Sequence, residues 1–117
     1  MKVRIIIQIA GPDGEPFMGF GVVCLLERIK KLRSINLAAK DMRMSYAKAH
    51  HILKSLEKHL GRKMLIRRRG GADRGGAELT TFADNFLARY AEYRAGVKKY
   101  AEKEFSGFLK SLKARKA

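Results

Sequence analysis

The sequence is poor in several residue types, and each shortage excludes a class of protein. Cys24 is the only cysteine among 117 residues. A lone cysteine excludes an internal disulfide and a cysteine-rich zinc module, and its apolar neighbours favour a small core residue. No apolar run reaches the length of a signal peptide or a membrane span. We therefore expect a cytoplasmic protein with no membrane partner.

Acidic residues are also scarce. The chain has 11 Asp and Glu residues against 26 Lys and Arg residues, for a formal net charge of +15, and its pI is about 10.4. This excess of cations predicts a polyanionic partner. Because 46% of the residues are hydrophobic, we expect the charge to be displayed on a folded domain and not on a disordered tail.

The residue patterns of an enzyme are missing as well. The acidic residues are scattered, and the glycines of residues 70–76 follow arginines and precede a strand, unlike a phosphate-binding loop. His50 and His51 would point roughly 100° apart on a helix, and His51 and His59 would lie about two turns apart, which disfavours a shared metal ion. We predict no catalytic residue, no metal site and no cofactor.

The clearest positive pattern is a helix between Ser45 and Gly61. Ser45 suits the N-cap, and Gly61 suits the left-handed residue that ends a helix. Residues at helical spacing predict a buried face of Ala49, Ile52, Leu53, Leu56 and Leu60. The opposite face carries Ala47, His51, Lys54 and Lys58, with Tyr46 and Lys48 in the exposed first turn. Small and cationic outward residues suit the DNA major groove, although the helix alone is better explained by a solvated basic face.

The preceding residues predict a hairpin and a first helix. Residues 2–9 are rich in β-branched side chains and indicate a strand. A Gly-Pro-Asp-Gly turn at 11–14 and a short return strand over 15–18 would complete the hairpin. We expect a helix over 22–32. Its buried stripe would comprise Val22, Leu25, Leu26, Ile29 and Leu32, while Glu27, Arg28, Lys30 and Lys31 would face water.

A short second helix is expected between the first helix and Ser45. Asn36 is its predicted cap, and it would cover residues 37–42. Ala38 and Ala39 would allow close approach of the next helix, which Arg43 and Met44 join to it. Two helices joined by so few residues predict a helix-turn-helix.

A β-wing is predicted after the recognition helix. It would comprise a strand over 64–69, a glycine-rich tip over 70–76 and a return strand over 77–79. Alternation would place Arg67 and Arg69 on one face of the strand and Arg68 on the other. A run of arginines can serve solubility alone, but the glycines around Arg74 favour close approach of the backbone to another surface.

A long helix is predicted from Phe82 to about Leu112, capped by Thr80 or Thr81. Its aromatic and branched residues follow the spacing of a two-helix seam at Phe86, Tyr90, Tyr93, Val97 and Tyr100. The apolar surface continues with Phe105, Phe108, Leu109 and Leu112 after the seam loses phase. A second copy of the chain is the expected partner; the alternative is that the helix folds back on its own domain.

Taken together, these residues resemble the N-terminal DNA-binding domain of the ModE-type molybdate-responsive regulators. The resemblance covers residues 2–95. It is most distinctive at Met44-Ser45-Tyr46, at Leu60-Gly61-Arg62 and in the double-glycine wing leading to Leu79-Thr80. LysR-type regulators share the winged plan and the long helix but usually lack the glycine-doubled wing and the Ser-Tyr start, so they rank second.

The resemblance implies an α+β fold, a winged helix-turn-helix with an N-terminal β-hairpin and a long C-terminal dimerisation helix. The expected division is a DNA-binding domain over 1–80 and a dimerisation helix with a basic tail over 81–117. Full-length ModE proteins also carry C-terminal oxyanion-binding domains that sense molybdate. This chain ends in a helix instead, so we expect no molybdate sensing by that route, and no small-molecule effector is identifiable.

The implied function is sequence-specific regulation of transcription by a homodimer bound to double-stranded DNA. By position, Ser45, Tyr46 and Lys48 match the exposed start of the family's recognition helix, and Arg67, Arg69 and Arg74 match its wing. With the outward and flanking residues described above, the predicted recognition-helix contacts are Ser45, Tyr46, Ala47, Lys48, His51, Lys54 and Lys58. The predicted wing and flank contacts are Arg43, Arg62, Lys63, Arg67, Arg69 and Arg74.

The sequence also suggests three other functions to weigh against this one. An architectural or nucleoid-type DNA binder would have the same fold and no preferred operator, and a LysR-like regulator would bind DNA through the same elements. The ratio of affinities for selected and random DNA separates the architectural protein from the regulators, because charge alone discriminates little. RNA binding is disfavoured because the aromatic residues follow helical spacing and do not form a stacking platform on strands.

Overall fold

The computed structural model describes residues 1–68 and 76–114, except the side chains of residues 68 and 114. The order of elements confirms the predicted winged helix-turn-helix with an N-terminal hairpin and a long last helix. The elements are β1 (Ile9–Ala10), β2 (Pro16–Met18), α1 (Phe20–Leu32), α2 (Ile35–Asp41), α3 (Tyr46–Leu60), β3 (Leu65–Arg68), β4 (Gly76–Leu79) and α4 (Thr81–Ala114). Each strand pair, β1 with β2 and β3 with β4, is antiparallel. None of the described helices has the length and apolar character needed to cross a membrane.

The chain divides into two compact units. One unit comprises Gln8–Leu87, and the other comprises residues 1–7 together with α4 from Ala88 onward. The predicted division after residue 80 placed the whole of α4 in a second domain. In the structure the first turns of α4 group with the helix-turn-helix, where Ala83 and Leu87 are buried. The predicted functional boundary stays a prediction.

The core of the larger unit is built from one stripe on each of its helices. The first three helices pack in sequence, α1 on α2 and α2 on α3. The buried side chains of these three helices are Leu25, Leu26 and Ile29 of α1, Ile35, Ala38 and Ala39 of α2, and Ala49, Leu53 and Leu56 of α3. The small side chains of Ala38 and Ala39 allow α3 to approach α2, as the sequence predicted.

The predicted N-terminal strand over residues 2–9 is mostly wrong. Strand pairing in the described chain involves Ile9–Ala10, which lie against Pro16–Met18 with a register irregularity. The return strand has three residues before Gly19 becomes the N-cap of α1. In the part of the chain that the structure describes, no strand is assigned over residues 2–8. The turn and the hairpin itself are confirmed.

The boundaries of the first two helices also differ from the prediction. Helix α1 begins at Phe20 instead of Val22, and Leu32, its last residue, is exposed because it lies beyond the packed stripe. Helix α2 is capped by Ser34, whose hydroxyl accepts a hydrogen bond from the Leu37 amide at 3.1 Å. The predicted cap, Asn36, lies inside the helix because burial of Ile35 fixes an earlier start.

Substitutions at Gly61 and Gly21 test whether Gly61 is the left-handed residue that ends α3, with Gly21, inside α1, as the control. Gly61 ends α3 with a φ of +67°, whereas Gly21 lies in α1 with no atom within 4 Å of an added Cβ. Gly61→Ala should lower the free energy of unfolding by about 1–2 kcal/mol, because an L-residue is strained in the left-handed region. Gly21→Ala should leave it unchanged or raise it by up to about 1 kcal/mol. Urea unfolding at equal protein concentration measures both, and equal effects of the two changes would contradict the assignment.

Candidate nucleic-acid interface

Helix α3 is fixed at both ends by the caps that the sequence predicted. The Ser45 hydroxyl accepts a hydrogen bond from the Lys48 amide at 3.0 Å. At the other end, Gly61 is left-handed and its amide donates to the Glu57 carbonyl at 2.8 Å. These bonds satisfy amide and carbonyl groups that a helix leaves unpaired at its ends, so α3 begins and ends at defined residues.

The packing of α3 determines which of its residues face outward. Ala49, Leu53 and Leu56 are buried, and Ile52 and Leu60 are half-buried. The predicted outward residues are all exposed: Ser45, Tyr46, Ala47, Lys48, His51, Lys54 and Lys58. At roughly 100° per residue, Ala47, His51, Lys54 and Lys58 share one side, with Tyr46 and Lys48 flanking it. Tyr46 stacks on His50 with ring centroids 6.0 Å apart, which orients its exposed ring.

The turn between α2 and α3 contains Arg43, which lies two residues before Ser45, the N-cap of α3. Arg43 is exposed and adopts a left-handed backbone with φ 57°, which is uncommon for a residue other than glycine. The amide of Met44 returns to the Ala39 carbonyl at 3.0 Å and closes the turn. The structure thus brings the predicted Arg43 contact to the start of α3.

The base of the wing is hydrogen-bonded on both edges of β4. One edge pairs with β3, placing Leu65 opposite Leu79 and Arg67 opposite Ala77. On the other edge, Ser34 forms an isolated bridge with Gly76, and the Ala77 amide donates to the Arg33 carbonyl at 3.0 Å. Arg67 is exposed on β3, which this anchored strand β4 holds by its pairing.

Three predicted wing features lie outside the described residues: Arg69, Arg74 and the shared face of Arg67 and Arg69.

Cations from the helix, the flank and the wing line a common groove. A cavity of about 600 Å³ between α3 and the wing includes Lys54, Lys63 and Arg67 in its lining. An adjoining groove of about 330 Å³ is lined by Lys54 and Lys63 again, together with Lys58 and Arg62. Five of the residues predicted to bind DNA therefore converge, although they come from three different segments.

Glu57 connects the recognition helix to the wing, and sequence reasoning missed it. Its carboxylate accepts a hydrogen bond from the buried Met64 amide at 2.8 Å, and its other oxygen lies 3.8 Å from Lys54 Nζ. The side chain is 14% exposed. A single acidic residue on a cationic helix was the signal that could have indicated a structural role for Glu57. Its partner, the Met64 amide, lies seven residues away across a turn, so the sequence did not identify it.

Two aromatic contacts beside α3 were also missed. The Arg62 guanidinium lies 4.5 Å from the centroid of the Phe82 ring, a cation–π geometry that fixes its position over α4. The His59 ring stacks on Phe17 at 4.2 Å, and its Nδ1 lies 2.8 Å from the Ser55 carbonyl oxygen, so Nδ1 is the protonated donor.

No group of three or more metal-ligating side chains occurs in residues 1–68 and 76–114.

The long helix presents most of the predicted seam, but not all of it. Tyr93 is 52% exposed and Tyr100 is 65% exposed, and Val97 is half-buried. Tyr90 is 5% exposed within a single copy, and this burial raises the pKa of its hydroxyl. Phe86 is half-buried and stacks on Phe82. Tyr90 thus differs from the expectation of a seam left open for a second chain.

Known proteins share both the sequence pattern and the fold. The family described as bacterial regulatory helix-turn-helix protein, lysR family, matches residues 23–84. The transcriptional regulator ModE of Haemophilus influenzae is 41% identical over 68 residues, which are 58% of this chain and 27% of that protein. The molybdenum-pterin-binding protein MopB of Rhodobacter capsulatus is 34% identical over 95 residues, 81% of this chain and 34% of that protein. The chain thus spans about a third or less of these relatives, and the predicted ModE resemblance is confirmed.

Solved structures give the same fold. A structure described as a CbnR_DBD–DNA complex aligns with a TM-score of 0.54 and 26% identity, covering 84% of this chain and 100% of that one. A probable transcriptional regulator from Pseudomonas aeruginosa aligns with a TM-score of 0.50 and 17% identity, covering 74% of this chain and 27% of that one. The second likeness concerns the fold alone.

Removing the Glu57 carboxylate tests the connection between helix and wing. Glu57→Ala leaves the buried Met64 amide without its acceptor, so the free energy of unfolding should fall by about 1–3 kcal/mol. Glu57→Gln keeps an oxygen acceptor at the same place and should lose clearly less. Urea unfolding of the three proteins measures the difference. Equal losses in both variants, or no loss in Glu57→Ala, would show that the bond does not hold the wing.

Proposed function

The chain belongs to the bacterial regulatory helix-turn-helix proteins of the lysR family, and from this premise we propose that it is a DNA-binding transcriptional regulator. The observation that carries the proposal is the convergence of Lys54, Lys63 and Arg67 on one groove beside an exposed cationic helix face. Such a continuous basic surface fits the regularly spaced phosphates of a duplex.

In the proposed complex, α3 lies in the major groove with its outward face toward the bases. The groove is about 12 Å wide, and a helix with its side chains is roughly 10–12 Å across. Ala47 is small enough to bring the helix backbone close to the base edges. Tyr46 and Lys48 flank that position and supply hydrogen-bond donors, so they carry sequence preference.

The remaining cations act on the DNA backbone. Lys54, Lys58, Arg62, Lys63 and Arg67 line grooves beside α3 and would each neutralise a phosphate. The logarithm of affinity should then fall with the logarithm of salt concentration, with a slope of about −0.9 per phosphate. These contacts give affinity without discrimination, because every sequence has the same backbone.

Three single substitutions separate base contacts from phosphate contacts. Lys48→Ala should lower the ratio of affinities for selected and random duplexes by roughly 5- to 150-fold, since a good base contact discriminates by about 1–3 kcal/mol. Arg67→Ala should weaken both duplexes equally and reduce the salt slope by about one. Lys99→Ala removes the same charge from α4 and should change neither quantity.

Fluorescence anisotropy at two salt concentrations measures these effects, after selection of preferred sites from random DNA. If the wild-type protein bound selected and random duplexes with nearly equal affinity, the second candidate function, an architectural DNA-binding protein, would be favoured. The net charge of +15 supports this candidate. Unchanged binding in both Lys48→Ala and Arg67→Ala would contradict the proposed interface.

We also propose that the chain acts as a homodimer through α4. Large apolar side chains remain exposed along the helix: Tyr93, Tyr100, Phe108 and Leu112. Half-buried Val97 and Phe105 continue the same stripe. Exposed aromatic residues in a continuous stripe are typical of a surface that pairs with another helix. Two copies related by a two-fold axis would read half-sites about one DNA turn, or a multiple of it, apart.

The spacing of the stripe changes after Tyr100. From Val97 to Phe108 the step is eleven residues, which corresponds to 3.67 residues per turn and locally unwinds a left-handed supercoil. In a dimer, the residues that contact the partner helix after Tyr100 would therefore be Ala101 and Phe105, on the same face of α4.

Alanine at Tyr100 or Phe108 tests the α4 seam. Each change should weaken dimerisation by roughly 30-fold or more, because truncating an aromatic residue at the centre of an interface costs about 2 kcal/mol. Lys99→Ala, on the other side of the helix, is the control and should leave the dimer intact. Sedimentation equilibrium measures the association constant. A wild-type chain that stays monomeric over the measured range would contradict the homodimer.

A further inference from the structure

The N-terminal residues have the side-chain pattern of a strand, but no strand among the described residues pairs with them. Val3, Ile5 and Ile7 are half-buried, whereas Lys2, Arg4 and Ile6 are exposed, and Ile6 is 81% exposed. This period of two is the signature of an extended segment with one covered face. Within the same compact unit, the three half-buried side chains line a groove of about 730 Å³ with Ala91 and Ala95 of α4.

Within the described ranges, the backbone of this segment has no hydrogen-bond partner. Residues 1–7 make no backbone hydrogen bond to any other residue that the structure describes. A row of open amide and carbonyl groups beside β-branched side chains is a template for another strand.

We propose that residues 3–7 pair as an antiparallel strand with the same residues of a second copy, with Ile5 opposite Ile5 on the two-fold axis. The inference rests on the homodimer proposed above and specifies a second surface of it. Because residues 1–7 lie in the same compact unit as α4 from Ala88 onward, the strand pair would continue the α4 interface.

The side chains favour this register over one centred on Arg4. Residues directly opposite in an antiparallel pair point to the same face, so the half-buried odd residues must oppose odd residues. Centring on Arg4 would place two guanidinium groups against each other, and like charges directly opposite are destabilising. Centring on Ile5 places Val3 opposite Ile7 on the covered face and Arg4 opposite Ile6 on the exposed face. The exposed Ile6 thereby gains an apolar contact with the stem of Arg4.

The register can be tested by disulfide cross-linking in a Cys24→Ala background. Opposite residues in an antiparallel pair have Cα atoms about 4.5–5.5 Å apart, within the range of about 4.4–6.8 Å that a disulfide spans. Ile5→Cys should therefore form a disulfide dimer under mild oxidation. Two Ile7→Cys chains should not, because their Cα atoms would be offset by roughly 14 Å along the strands. A mixture of Val3→Cys and Ile7→Cys chains should form the mixed dimer.

The outcomes distinguish this inference from the dimer on which it rests. Non-reducing gels measure the cross-link, and sedimentation of the reduced variants measures the dimer. A dimer in which Ile5→Cys does not cross-link would overturn the strand pairing and leave the α4 homodimer standing. Faster self-cross-linking of Ile7→Cys than of Ile5→Cys would overturn the register. A monomeric wild-type chain would overturn both proposals.

Discussion

The burial of Ala49, Leu53 and Leu56 is the packing contact on which the interface depends. Burying a leucine side chain contributes about 1.5–3 kcal/mol, whereas an exposed ion pair contributes about 0–1 kcal/mol. Apolar packing therefore sets the rotation of α3 about its axis, and this rotation determines which way the cationic side chains point. Once these three side chains face the core, the opposite face must carry Ala47, His51, Lys54 and Lys58.

The acidic residues have a distribution that complements this arrangement. Asp41, Asp84 and Glu78 pair with Arg28, Lys30 and Arg33 of the first helix and its cap at 2.6, 3.0 and 3.8 Å. The bond to Asp41 raises the pKa of Arg28, and the bond to Asp84 raises that of Lys30. These acids thus offset cations at α1.

On α3 the balance is different. Lys48 and Lys58 make no ion pair with any residue in the described ranges. Unpaired cations on a helix face can bind a polyanion. The excess of positive charge also makes the cations of the folded chain repel one another. The Glu57 bond to the Met64 amide and the two bonded edges of β4 hold the wing against that repulsion.

Local signals made α3 predictable from sequence. Ser45, the helical repeat and Gly61 agree with one another, and each has a physical role within a few residues. The wing strands were predictable for the same reason, because the glycine-rich tip lies between two short β segments. The alanine pair of α2 likewise indicated the close approach of two helices.

Features decided by tertiary contacts were not predictable. Asn36 and Ser34 are both good caps, and the choice depends on the burial of Ile35, which no local pattern shows. Residues 2–8 have the composition of a strand, but strand pairing needs a neighbouring strand, and none of the described strands pairs with them. The contacts of Glu57 with Met64 and of Arg62 with Phe82 join residues whose proximity follows from the fold alone.

The most direct test of the central claim is the reactivity of individual lysines toward limiting acetylation, read by peptide mass spectrometry with and without duplex DNA. If the outward face of α3 lies against the duplex, Lys48, Lys54 and Lys58 should be protected together, while Lys99 on α4 should react as before. Protection of Lys99 with undiminished reactivity of the three α3 lysines would contradict the account.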